Sequence, residues 1–176
     1  MKSITCLLLL AVASLFLCNA YASPVKYKGT AEVAKNKHIV LIASDHEYRG
    51  EETIPALARI LAKHHGFDCT VLFGIDENGE IKGGHSNIPG LEVLESADAM
   101  IIFARFLALP DEQMKHIDAY LNRGGPVMGL RTSTHAFRYG NKVSAYYRYD
   151  FRSKVEGYES GFGHQILGQS WVGHYG

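Results

Sequence analysis

Cysteine is scarce in this chain. There are three in 176 residues, and two of them, Cys6 and Cys18, fall at the N-terminal end. If that end is removed, Cys69 stands alone and no internal disulfide can form. It sits in an apolar stretch, where it reads as a small buried hydrophobe. An excess of either charge is also missing, with 18 Lys and Arg against 18 Asp and Glu. Nucleic acid and other polyanions therefore have no electrostatic claim on this protein. Internal repeats and low-complexity tracts are absent as well.

The first residues are organised differently from the rest. Lys2 precedes an uncharged stretch from Cys6 to Leu17, and Ala20-Tyr21-Ala22 closes it with small residues at two key positions. This is the pattern of a cleavable secretory signal, with cleavage expected after Ala22 and a secreted or periplasmic destination. A membrane anchor is the alternative. The stretch falls short of the about 20 residues that span a bilayer, so no stable span is expected after cleavage. A lipid anchor on Cys18 is disfavoured because bulky Leu17 precedes it. Cleavage would leave 154 of the 176 residues, enough for one domain with a real core. Loss of Lys2 takes the formal net charge from 0 to −1.

Residues 23–37 are polar and lack apolar periodicity, and read as a flexible lead-in. The domain is expected over 38–176. His38 to Ala43 is a branched apolar run of strand length, as a strand buried on both faces requires. After a polar loop, Ile54, Leu57, Ala58, Leu61 and Ala62 follow helical spacing, and Gly66 is a natural stop. Phe67 to Phe73 is a second strand. A Gly-rich connection over 74–90 is long for a compact domain, which suggests a functional role. A short helix is expected over Leu91–Ser96 and a third strand over Ala99–Phe103. Pro110–Arg123 is a second clear helix, and Pro126–Leu130 a fourth strand. Alternating strands and helices with buried runs imply an α/β three-layer sandwich with a parallel, flavodoxin-like sheet of order 2-1-3-4.

In such sheets ligands bind beyond the carboxyl ends of the strands, where the strand order reverses. The loops after the first, third and fourth strands should therefore converge. They carry Asp45-His46-Glu47-Tyr48-Arg49, Arg105-Phe106 and Arg131-Thr132-Ser133-Thr134-His135. Arginine offers a planar fork of donors for substrate oxygens, and histidine moves protons near neutrality. The expected roles follow. His46 and His135 are candidate acid–base groups, with Glu47 orienting one of them. Asp45, Tyr48, Arg49, Arg105, Arg131, Thr132 and Trp171 are candidate substrate contacts. A solvated rim competes with function for any single member, and for Asp45 and Glu47 the two readings are balanced. The strand-to-turn segment ending in Arg131 has the form in which hydrolases present a nucleophile, but arginine cannot attack. None of the nine histidines makes a recognised metal-binding spacing. No cofactor is expected, and a divalent metal has only weak support. His46, His135 and His174 could nonetheless meet in space.

The segment from Arg138 onward is dense in aromatics, among them Tyr139, Tyr149, Phe151, Phe162 and Trp171. Aromatic faces with polar neighbours suit sugar rings, and they equally suit a long loop packed over a sheet. A short helix is expected over Gly161–Leu167.

Gly124 to Phe137, with its Gly129-Leu130-Arg131-Thr132-Ser133-Thr134-His135 core, resembles the strand-and-turn motif of trehalose-utilisation (ThuA-like) proteins. These belong to the class I glutamine amidotransferase-like superfamily. The likeness extends to Leu109-Pro110-Asp111-Glu112-Gln113-Met114, to His46-Glu47-Tyr48 and to the stretch from Gly161-Phe162-Gly163 to Trp171, covering roughly residues 38–176. It implies a flavodoxin-like core and a small-molecule carbohydrate ligand, trehalose-like or an oxidised sugar. Glutaminase activity is not implied, because Arg131 stands where amidotransferases carry a cysteine and where the wider ThuA pattern has a histidine. Members of the family often continue past the Trp171 region, so a C-terminally truncated copy is one expectation. The functional expectation is a secreted carbohydrate-active enzyme without a cysteine nucleophile. The alternatives are a non-catalytic carbohydrate-binding module and a degenerate fragment on the same scaffold.

Overall fold

The structure is a computed structural model and describes residues 24–174. The expected export segment lies outside them. Five strands form one sheet: β1 (Val25–Tyr27), β2 (His38–Ser44), β3 (Asp68–Phe73), β4 (Ala99–Ala104) and β5 (Val127–Gly129). Three helices accompany them: α1 (Gly50–Ile60), α2 (Asp111–Asn122) and α3 (Gly161–Leu167). The sheet order is β1-β3-β2-β4-β5. Strands β2 to β5 pair in parallel, while β1 joins the β3 edge antiparallel, with Val25 opposite Val71 and Tyr27 opposite Cys69. The sheet is thus α/β and mostly parallel, as a flavodoxin-like fold requires. To the four expected strands it adds a fifth, antiparallel edge strand, because part of the supposed lead-in is itself a strand. Three residues of Val-Lys-Tyr are too few to show a period, and their pairing partner lies more than forty positions away.

The parallel strands are buried on both faces, which explains their unbroken apolar runs. Alternate residues divide between two cores. Ile39, Leu41, Val71, Phe73, Ile101 and Phe103 face one way and meet Ile54 and Ala58 of α1. Cys69 belongs to this core, and burial pushes its thiol up to about 11. Val40, Ile42, Leu72, Met100 and Ile102 face the other way, against Met114, Ile117 and Tyr120 of α2. Tyr149, Phe137 and Phe162 complete that second core. Most of the aromatic tail is therefore packing. Tyr149 also donates its hydroxyl to Asp118 of α2 at 2.6 Å, which fastens the tail to the helix layer.

Two glycine sites hold the loops close. Helix α1 runs on through a wider turn, Leu61–His65, which Gly66 ends at φ 83°. A Cβ there would lie 1.9 Å from the carbonyl oxygen of Ala31, so the segment between β1 and β2 can lie against the helix end only because Gly66 lacks one. The long 74–90 connection folds back beneath the end of β2. Gly83 and Gly84 pass so close that Cβ atoms would meet the Asp45 carbonyl at 2.3 Å and the His46 ring at 2.6 Å. This connection supports the loop after β2 from below.

Gly66→Ala should lower stability by roughly 1–3 kcal/mol, from left-handed strain and the backbone clash together. Urea unfolding followed by circular dichroism measures it, and an unchanged midpoint would contradict the close packing described.

Candidate functional site

The chain runs from β2 outward to β3 and then crosses back to β4, so the order reverses between β2 and β4. The loops leaving β2, β4 and β5 meet above that point. Backbone bonds hold them in place: Phe106 N–H donates to the His135 carbonyl (3.0 Å) and Leu107 N–H to that of Ala136 (2.7 Å). Each loop also carries a residue with a side chain in the left-handed region: Arg49 (φ 53°), Phe106 (54°) and Arg131 (44°). Backbone strain of this kind gathers where surrounding structure imposes a conformation.

Asp45 is wholly buried. Its Oδ1 accepts the backbone N–H groups of Glu47 (2.8 Å) and Tyr48 (2.7 Å), and its Oδ2 accepts the Thr132 hydroxyl (2.7 Å). Asp45 is turned to these three donors, and Thr132, which borders the cleft described below, spends its hydroxyl proton on Asp45. A buried carboxylate must find donors, and these two residues bolt the β2 loop to the turn after β5. Ser133 is likewise internal. Its hydroxyl donates to the Ile102 carbonyl (2.7 Å) and accepts the Ala104 N–H (3.3 Å), so it is no nucleophile.

Arg105 is the second junction. Its Nε lies 3.1 Å from Glu47 Oε2 and 3.3 Å from His135 Nε2, and its Nη1 donates to His46 Nε2 at 2.9 Å. A guanidinium only donates, so both imidazole Nε2 atoms are acceptors and each neutral ring carries its proton on Nδ1. The Nδ1–H of His135 then points to the Thr134 hydroxyl at 3.2 Å. Burial holds His135 down to about 4, reinforced by the Arg105 charge and only partly offset by Glu47 and Asp45. At neutral pH the ring is unprotonated and its basic lone pair is occupied. His135 is therefore poorly suited to the acid–base role expected of it, and the Nε and Nη1 groups of Arg105 are engaged by Glu47, His135 and His46.

A cleft of about 230 Å³ opens beside this junction. Glu47, Tyr48, Arg131 and Thr134 line one part of it, and His135, Trp171, Gly173 and His174 the other. The Arg131 guanidinium lies 4.0 Å over the Tyr48 ring and donates to the Tyr48 hydroxyl at 2.9 Å. Trp171 leans on His135 with ring centroids 4.9 Å apart, and Phe106 and Phe151 back both rings. Of the expected site residues, Glu47, Tyr48, Arg131, Thr132, His135 and Trp171 border this cleft, while His46 and Arg105 stand behind it. Arg49 is not brought in. It caps the start of α1 and pairs with Glu52. Thr134 and the supporting Phe106 and Phe151 were named in the sequence within the converging loops and the aromatic tail but given no role, and Gly173 went unmarked. His174 joins His135 at the cleft wall, whereas His46 reaches them only through Arg105. Among the described residues, no three His, Cys, Asp or Glu side chains form a group that could hold a metal ion.

Comparison with protein-family models, with curated proteins and with solved structures finds no match to this chain.

Two outcomes follow from the junctions. Asp45→Ala leaves three donors without their acceptor and should cost roughly 3–5 kcal/mol, read from denaturant midpoints. His135 has a folded-state pKa below its unfolded one, so protons favour the unfolded chain between the two values. Its neutral burial therefore costs no stability above about pH 6.5, and stability is lost as the pH falls toward 4. The stability gap between wild type and His135→Gln should shrink over that window in thermal melts. A gap independent of pH would show that His135 titrates normally.

Proposed function

We propose that this protein is an exported carbohydrate-binding protein of ThuA-like, flavodoxin-like type, whose cleft holds one sugar ring. The observation that carries the reading is the pairing of an aromatic wall, Trp171, with a fixed polar wall, Arg131 on Tyr48, across one small cleft. A pyranose has apolar C–H faces and a rim of hydroxyls, and such a cleft answers both. At about 230 Å³ the space is below the roughly 300–1,000 Å³ of pockets that enclose drug-sized ligands, which favours a single ring. The turn motif around Arg131 supports the family reading, and the signal-like first 22 residues support export.

Binding is favoured over turnover. The Nε2 atoms of both His46 and His135 are engaged by Arg105, Glu47 is committed to the same arginine, and Ser133 and Thr132 are tied into the fold. The apex of the turn is Arg131, which offers donors and no nucleophile.

A thermal-shift screen against monosaccharides and disaccharides tests this. Millimolar monosaccharide should raise the melting temperature by mass action, and Trp171→Ala should remove most of that rise. The sugar should be recovered unchanged after days of incubation. No shift with any sugar would sink the proposal, and a consumed sugar would replace binding by catalysis.

A further inference from the structure

Among the described residues, Arg131 is the only arginine or lysine lining the cleft, and no carboxylate lies within 4.0 Å of it. The one carboxylate lining the cleft, Glu47, is engaged by Arg105 at 3.1 Å. Asp45, beneath it, is wholly buried and turned toward its own three donors. An arginine in a polar cleft with no anionic partner among the described residues has donors to offer. Of its five N–H groups, one is given to the Tyr48 hydroxyl, and the Tyr48 ring holds the plane of the guanidinium from 4.0 Å. The remaining edge is enough for a two-pronged contact with a planar anion.

The backbone adds to this. Arg131 sits at φ 44°, a conformation that residues with side chains adopt only when neighbours impose it. Thr132, the next residue, is clamped by Asp45. The arginine is thus set in place before any ligand arrives, which reduces the ordering cost of binding. A single cation that no described carboxylate meets matches a single negative charge. A phosphate dianion would call for a second cation or several backbone amides, and the cleft wall supplies only the neutral His135 and the imidazole of His174 beside Arg131.

We infer that the preferred ligand is a sugar acid, a pyranose bearing a carboxylate, with that carboxylate forked by Arg131 and the ring against Trp171. This assignment rests on the carbohydrate reading above and narrows it to a charge class. The neutral Nε2 lone pairs of His46 and His135 are both turned to Arg105, so no competing acceptor from these rings repels the anion.

Trp171 is the only tryptophan in the chain, so its emission reports on the cleft directly. The protein is titrated with D-glucuronate, with its neutral methyl ester, with D-glucose and with glucose 6-phosphate. Calorimetry repeats each titration. Glucuronate should bind at least about tenfold more tightly than the ester and than glucose, a difference that added salt reduces. In Arg131→Asn, which keeps a residue tolerant of the left-handed region, the ratio of glucuronate to ester affinity should fall to about one. Arg131→Lys should give an intermediate ratio, because a point charge cannot form the fork. If Arg131→Asn does not fold, the ester comparison in the wild-type protein still decides. Equal affinities for glucuronate and its ester overturn the charge assignment and leave carbohydrate binding standing. Tighter binding of glucose 6-phosphate overturns the carboxylate class. No response to any of the four overturns both readings.

Discussion

A carboxylate with no access to water must be met by donors on every side, and Asp45 imposes that condition where the sheet changes direction. Its three partners come from two loops more than eighty residues apart in sequence. The two backbone amides curl the chain after β2 into a tight turn that delivers Glu47 and Tyr48 upward. The Thr132 hydroxyl draws in the turn after β5 and leaves Arg131, one residue earlier, in the left-handed region over Tyr48. The Tyr48 and Arg131 side of the cleft is tied to this one buried side chain.

Arg105 completes the arrangement from the β4 loop. It gathers Glu47, His46 and His135 around one guanidinium, and so consumes the groups that a general acid–base site would need free. The low pKa of His135 has the same origin: a buried ring next to a permanent positive charge gains nothing from a second proton. What remains open toward the cleft includes Arg131, Trp171, Thr134 and the exposed His174. Such groups suit binding and orientation.

Much of the scaffold was legible in the sequence. Buried parallel strands write themselves as apolar runs, and α1 and α2 as helical periodicity, because each pattern follows directly from which faces meet the core. The convergence of three loops was legible for the same reason, since it follows from topology. The β1 strand was not, because a three-residue edge strand carries no period and its pairing depends on β3. The tail aromatics were ambiguous for a related reason: Phe162 and Tyr149 vanish into the core while Trp171 reaches the cleft, and composition does not distinguish them. Asp45 and Arg49 show the limit most clearly. Both are charged residues of one loop, yet one is a wholly buried anchor and the other an exposed helix-start residue paired with Glu52.

The sequence by itself determined an α/β sheet, the loops at which a site would form, and the absence of a cysteine at the turn where Arg131 stands. Those properties depend on residue type and spacing, which are written locally. Tertiary structure alone decided which polar groups were spent inside the fold and which were left for a ligand. That division is set by hydrogen-bond partners far apart in the chain, and above all by the need of Asp45 and Arg105, both largely removed from water, to have their charges met.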